Sequence, residues 1–191
     1  YRNDRLSSRL YGYLRIPLVR QLIQPGKAAS SQGPSPETAK HEIAAYLVEK
    51  MEPGTLYLLG PGTTVRAVAD ELGLHKTLLG VDAVHDGQPV GADLNERGIL
   101  DLLEQYPHRK IIVTPIGGNG FIFGRGNKQF TPVVIRKIGR ENIQVISTED
   151  KLRELECLRV DTGDYELDQL LGGYMKVIID YMRMKVMKVK C

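Results

Sequence analysis

Apolar and polar positions alternate in two periods along this chain. Short continuous apolar runs, bounded by glycine and proline, alternate with stretches in which apolar residues recur every three or four positions. Ser35-Pro36-Glu37 predicts a helix start: a capping serine, a proline at the first helical position and an acid in the first turn. Ile43, Tyr46, Leu47 and Met51 give that helix an apolar face, and Pro53-Gly54 ends it. Residues 55–59 read as a buried strand, 65–72 as a helix closed by Gly73, and 77–81 as a second strand. Ile99, Leu102, Leu103 and Tyr106 mark a helix, and 110–114 a third strand. Thr131-Pro132 repeats the cap-then-proline start before Val134, Ile135 and Ile138. Residues 143–146 and 157–160 read as strands and 165–171 as a helix ended by Gly172-Gly173. Residues 175–190 read as one long strand, although Tyr174, Val177, Ile178 and Tyr181 also fit a helix face.

Strands separated by helices of this length predict an α/β fold, a mainly parallel sheet with helices on both faces, in a Rossmann-like or sugar-phosphate-isomerase-like arrangement. The expected division is an extended arm and small-residue linker over residues 1–34, then one α/β domain over 35–191. Within the arm, Leu10, Tyr11, Leu14, Ile16 and Leu18 form an apolar stretch interrupted by Pro17. The chain opens at Tyr1 without a methionine, as a fragment of a longer protein would.

Bulk properties narrow the function classes. No apolar run approaches the roughly 20 residues that span a bilayer, so no membrane partner is expected. The net charge of +3 is mild and argues against nucleic acid as the first expectation. Arg183, Lys185, Lys188 and Lys190 alternate with apolar residues, which suits an edge strand with a solvated face. Cys157 and Cys191 form neither a metal knuckle nor a disulfide framework, so a reducing, cytoplasmic setting is the default.

In parallel sheets, ligands bind where strands end and helices begin. Gly60-Pro61-Gly62-Thr63-Thr64 lies at such a point, and its amides and hydroxyls suit a phosphate; a tight turn with a capping threonine is the plainer reading. The densest signal is the run from Pro115 to Gln129. It holds five glycines (Gly117, Gly118, Gly120, Gly124 and Gly126), with Asn119, Arg125 and Asn127, directly behind Ile111-Ile112-Val113. So many glycines predict a backbone that approaches an anion closely, with Arg125 as a bidentate phosphate clamp. Asp82 is expected where an apolar strand ends, as a magnesium ligand, a partner for ribose hydroxyls or a general base. Asp161, in Arg159-Val160-Asp161-Thr162-Gly163-Asp164, is a candidate metal ligand or base, and Asp164 a helix cap. Asp86-Gly87 reads as a turn, and Asp93 or Asn95 as a cap.

These segments together resemble a known family. Residues 59–64, Leu79-Gly80-Val81-Asp82-Ala83-Val84, Asp93-Leu94-Asn95-Glu96, the run 115–129 and residues 158–164 are similar to the C-terminal half of the ATP-NAD kinases. That family includes polyphosphate/ATP-dependent NAD kinase-like and acetoin-catabolism X-like proteins. The likeness runs from about Thr55 to Tyr181. It implies phosphoryl transfer from ATP or polyphosphate to the adenosine ribose of NAD, with magnesium, and hence NADP formation. The family's Gly-Gly-Asp-Gly loop, whose aspartate is taken as the base, belongs to an N-terminal domain and is not among these residues. The likeness therefore implies a nucleotide-binding or domain-pairing half, for which a homo-oligomer is allowed. A looser similarity of arrangement, to sugar-phosphate isomerases and CoA-transferases, implies an alternative enzyme with Asp82 or Glu96 as base. A non-catalytic nucleotide-binding or assembly domain is a third reading.

Overall fold

The computed structural model describes residues 35–190. The arm expected over residues 1–34 lies outside them.

Helix α1 (Pro36–Glu49) starts as its sequence requires: the Ser35 hydroxyl accepts a hydrogen bond from the Thr38 amide at 3.2 Å, and proline occupies the first turn. Strand β1 (Leu56–Leu59) leads through glycines into α2 (Thr63–Glu71). A hairpin of β2 (Asp82–His85) and β3 (Gln88–Gly91) follows, then α3 (Glu96–Gln105) and β4 (Arg109–Val113). Next come β5 (Phe121–Phe123), α4 (Pro132–Ile138), β6 (Ile143–Ile146), α5 (Glu149–Arg153), β7 (Leu158–Val160) and α6 (Tyr165–Leu171). The last two strands are β8 (Gly173–Asp180) and β9 (Arg183–Lys190).

All nine strands form one sheet in the order β3-β2-β1-β4-β6-β8-β9-β7-β5. Strands β1, β4, β6 and β8 run parallel, as do β9, β7 and β5, whereas β2, β3 and the β8–β9 pair are antiparallel. The fold is thus α/β with a mainly parallel sheet. Successive side chains point to opposite faces. Tyr57, Leu59, Ile112, Ile146 and Ile178 pack under α1 and α2. Leu56, Leu58, Ile111, Val113 and Val145 pack against α3 and α4.

The far half of the sheet bends back over that second cluster. Phe123 of β5 meets Phe130 edge-on with ring centroids 5.9 Å apart, and the Phe130 ring lies 3.2 Å from where a Cβ on Gly60, just after β1, would sit. Strands β5 and β1 are six positions apart, about 29 Å on a flat sheet. Only a curled sheet brings both to one phenylalanine.

Three expectations need correction. Residues 77–81 are not a strand; Leu79 is half exposed, and the strand begins at Asp82. Residues 175–190 are two strands, folded at Tyr181-Met182, where Met182 takes φ 57°. The lysine-rich tail is not an edge, because β9 bonds to β8 on one side and β7 on the other.

Asp164 caps α6 as expected, accepting from the Leu167 amide at 3.0 Å. That amide, and then the Arg136 guanidinium, hold its carboxyl below the ordinary carboxylate value. A depressed folded value means the unfolded chain binds the proton more readily. The cap's contribution is therefore complete above the unfolded value and is lost as pH falls through the folded one. Melting curves should place Asp164→Ala below the parent at neutral pH, with the gap closing below about pH 4.

Candidate functional site

Strands β1 and β4 are parallel neighbours, with Leu59 level with Ile112, so their following turns lie side by side. After β1, the Gly60 amide donates to Ile112 O at 2.9 Å and the Gly62 amide to Leu78 O at 3.1 Å. Gly62 is the N-cap of α2 at φ 115°, with no side chain to bond the helix amides. A Cβ there would stand 2.8 Å from Thr114 Cγ2, so glycine is required both by conformation and by the neighbouring strand. The amides of the first helical turn have no intrahelical acceptor and point outward at the positive end of the helix dipole. Thr63 is exposed beside them and Thr64 is buried. Thr114, at the end of β4, is 3 % exposed, and its hydroxyl has no hydrogen-bond partner. Three residues on, Gly117–Asn119 form a 3-10 turn, with Gly117 at φ 59°. Lys151 of α5 donates to Pro115 O, tying the next strand's helix to the same edge. Asn119, between Gly118 and Gly120, carries an amide, so this turn offers donors but no base.

The remaining glycines of the run answer to packing. A Cβ on Gly120 would lie 2.5 Å from Cys157 O, one on Gly124 only 1.7 Å from Asp161 O, and one on Gly126 2.9 Å from Ile116 Cδ1. All three have positive φ. They let β5 lie against the end of β7 and let the chain fold back over Ile116. Asn127 is buried and donates to Ile122 O at 2.7 Å, which clamps that fold-back. Packing alone thus accounts for glycine at 120, 124 and 126 and for the amide at Asn127.

Arg125 and Asp161 meet each other. Nε and Nη2 of Arg125 each lie 3.3 Å from Asp161 Oδ2, and the guanidinium sits 4.4 Å above the Phe121 ring. Both side chains are more than half exposed, so the pair contributes only about 0–1 kcal/mol. The expected phosphate clamp and the expected metal ligand or base thus neutralise one another at the β5–β7 edge.

Asp82 lies at the carboxyl end of β1, since β2 runs antiparallel with Asp82 opposite Leu59, but it faces inward. Its carboxylate accepts from the Thr77 amide at 2.6 Å, the Thr77 hydroxyl at 2.9 Å and the Asp93 amide at 2.7 Å. The buried Lys76 ammonium stands 3.7 Å away and donates to Thr77 O and Gly80 O. At 5 % exposure, with three donors and a cation around it, Asp82 fastens a loop. Glu96 accepts from the Thr131 hydroxyl at 2.5 Å. Among the described residues no three His, Cys, Asp or Glu side chains are grouped to hold a metal ion, and Asp82 and Asp161 each already have partners of their own. A shallow concavity between Met51, Tyr57, Val84 and Gly87 lies at the opposite end of β1, away from both turns.

The structure thus sets Gly62, at the start of α2, against Thr114, three residues before the turn at Gly117, while the Gly60 and Gly62 amides are already taken by Ile112 O and Leu78 O. Sequence reasoning passed over Lys76 and Thr114. Thr114 was within reach, as the first polar residue past an apolar strand. A lone lysine between His75 and Thr77 carried no signal.

No helix among the described residues is long and apolar enough to cross a membrane. Comparison with curated proteins and with solved structures returned no match for either. The family model described as the ATP-NAD kinase C-terminal domain matches residues 53–189, a span from just before β1 into β9. The chain belongs to the ATP-NAD kinase C-terminal domain family.

Proposed function

We propose that this chain binds a phosphate-bearing nucleotide, NAD or ATP, and positions it for phosphoryl transfer to NAD. The observation that carries the reading is the uncapped start of α2 at Gly62, set against the partnerless buried hydroxyl of Thr114. One phosphate lies at the first-turn amides of α2, with Thr63 donating its hydroxyl. The turn at Gly117–Asn119 takes a second phosphate or the ribose through amides. In phosphoryl transfer, positioning and charge neutralisation supply most of the rate, which suits a site rich in oriented N–H groups. Asp82, Asp161 and Glu96 all have partners, so this chain's part is to hold and orient. The same engagement of Asp82 and Glu96 removes support from the isomerase alternative, which needs one of them as base.

Titration calorimetry with NAD and ATP tests the reading. Thr63→Ala is expected to weaken binding about fivefold, as loss of one hydrogen bond of roughly 1 kcal/mol would, and Thr63→Ser to restore it. Arg125→Ala is expected to leave affinity unchanged. Absence of binding by the parent chain, or equal affinity in Thr63→Ala, overturns the proposal. Thr114→Val gives a separate check: removing a buried, partnerless hydroxyl should raise unfolding stability by about 1 kcal/mol in denaturant titrations.

A further inference from the structure

Among the described residues, the outer side of the second half of the sheet is covered only at Ile178, by α1. The inward residues of β7, β8 and β9 join the core, among them Leu158, Val160, Met175, Val177, Met187 and Val189. Their outward positions are Arg159 on β7, Tyr174, Lys176, Ile178 and Asp180 on β8, and Met184, Val186, Lys188 and Lys190 on β9. Helix α1 covers Ile178. The one acid among them, Asp180 at the end of β8, is paired with Arg183, and Arg159, Lys176, Lys188 and Lys190 form no ion pair among the described residues. The nearby carboxylates are engaged or lie at the far end: Asp161 is bound to Arg125, and Glu42 and Glu49 lie by Tyr181.

Register makes the arrangement specific. Arg159 stands directly opposite Lys190, and Tyr174 directly opposite Lys188. Like charges facing across neighbouring strands weaken a sheet. A local rule broken with no compensation inside the fold points to a role outside it. The whole-chain charge of +3 hides this, because the four cations are gathered on one face. The occupant must be anionic. A second copy meeting face to face would set cations against cations. Residues 1–34 bear Arg2, Arg5, Arg9, Arg15, Arg20 and Lys27 against Asp4, so their charge does not complement it.

Tyr174, 66 % exposed, decides among anions. An exposed ring on an open sheet, ringed by lysines, is a stacking platform for an unpaired base. We propose that this face binds single-stranded nucleic acid, with Arg159, Lys176, Lys188 and Lys190 on the phosphates and Tyr174 under a base.

Fluorescence polarisation with a labelled single-stranded oligouridylate tests it. Four phosphate contacts predict a slope of log affinity against log salt of about −3. Lys188→Gln with Lys190→Gln should flatten that slope by about 1.4 and weaken binding at least tenfold at low salt. Tyr174→Ala should weaken it at least about fivefold, and Tyr174→Phe should restore it. All are surface changes, and circular dichroism confirms the fold. Equal binding of duplex of the same sequence overturns the proposal. So does equal competition by polyglutamate or phosphatidylserine vesicles, or indifference to the loss of Tyr174.

Discussion

Asp82→Ala is expected to cost about 3–5 kcal/mol of unfolding stability, the range seen when one partner of a buried ion pair is removed. Lys76 is 2 % exposed and its ammonium has no path to water. Removing the carboxylate takes the facing anion from that buried charge, and leaves the Thr77 amide, the Thr77 hydroxyl and the Asp93 amide without their acceptor. The intact pair need not be worth much, because burying both ions carries its own penalty; the loss lies in breaking it. Lys76→Met should therefore be milder, since the carboxylate keeps its three donors. For a domain with about 5–15 kcal/mol in total, Asp82→Ala would be marginal at physiological temperature. Denaturant titration with an unchanged slope is the measurement. A loss below about 1 kcal/mol would show that the network does not hold the loop, and would return Asp82 to the candidates for chemistry.

Gly124→Ala should be at least as severe, about 3 kcal/mol or more, by overpacking together with backbone strain. Its Cβ would lie inside the Asp161 carbonyl, 1.7 Å from the oxygen, at a backbone φ of 89°. No rotamer relieves a clash of a Cβ with main chain, so β5 must separate from β7. Gly163 is the internal control. It has φ 83° and open space where a Cβ would go, so alanine there suffers conformational strain alone, about 1–2 kcal/mol. Soluble yield and thermal melts of the two variants separate the causes. Equal effects would mean that conformation, not contact, sets the glycine at 124.

The contrast explains what could be read from residues alone. Caps were legible because they are local: Ser35-Pro36 and Thr131-Pro132 start helices in the structure. Buried parallel strands such as β1 and β4 announce themselves as apolar runs. The β8–β9 fold-back was hidden, because Tyr181-Met182 contains no glycine, proline or asparagine. Strand β5 was hidden for a deeper reason. A glycine that admits a neighbouring strand and one that admits a phosphate look identical in sequence, and packing against the β7 segment explains Gly120 and Gly124. At Gly60 and Gly62 the flanking strand and helix fixed the context, so the turn itself was legible. Asp82 was placed at the end of a strand rather than at its start because that strand was set five residues early.

The order of strands also bears on how the chain is made. Strand β7 bonds only to β9 and β5, and β9 alone joins that pair to β8 and the rest of the sheet. Emerging from the ribosome, β5 and β7 have no docking edge until β9 clears the exit tunnel. Premature termination before Arg183 would thus strand two strands made long before the lesion, and nascent chains arrested there should be cleaved readily around Phe121–Phe123.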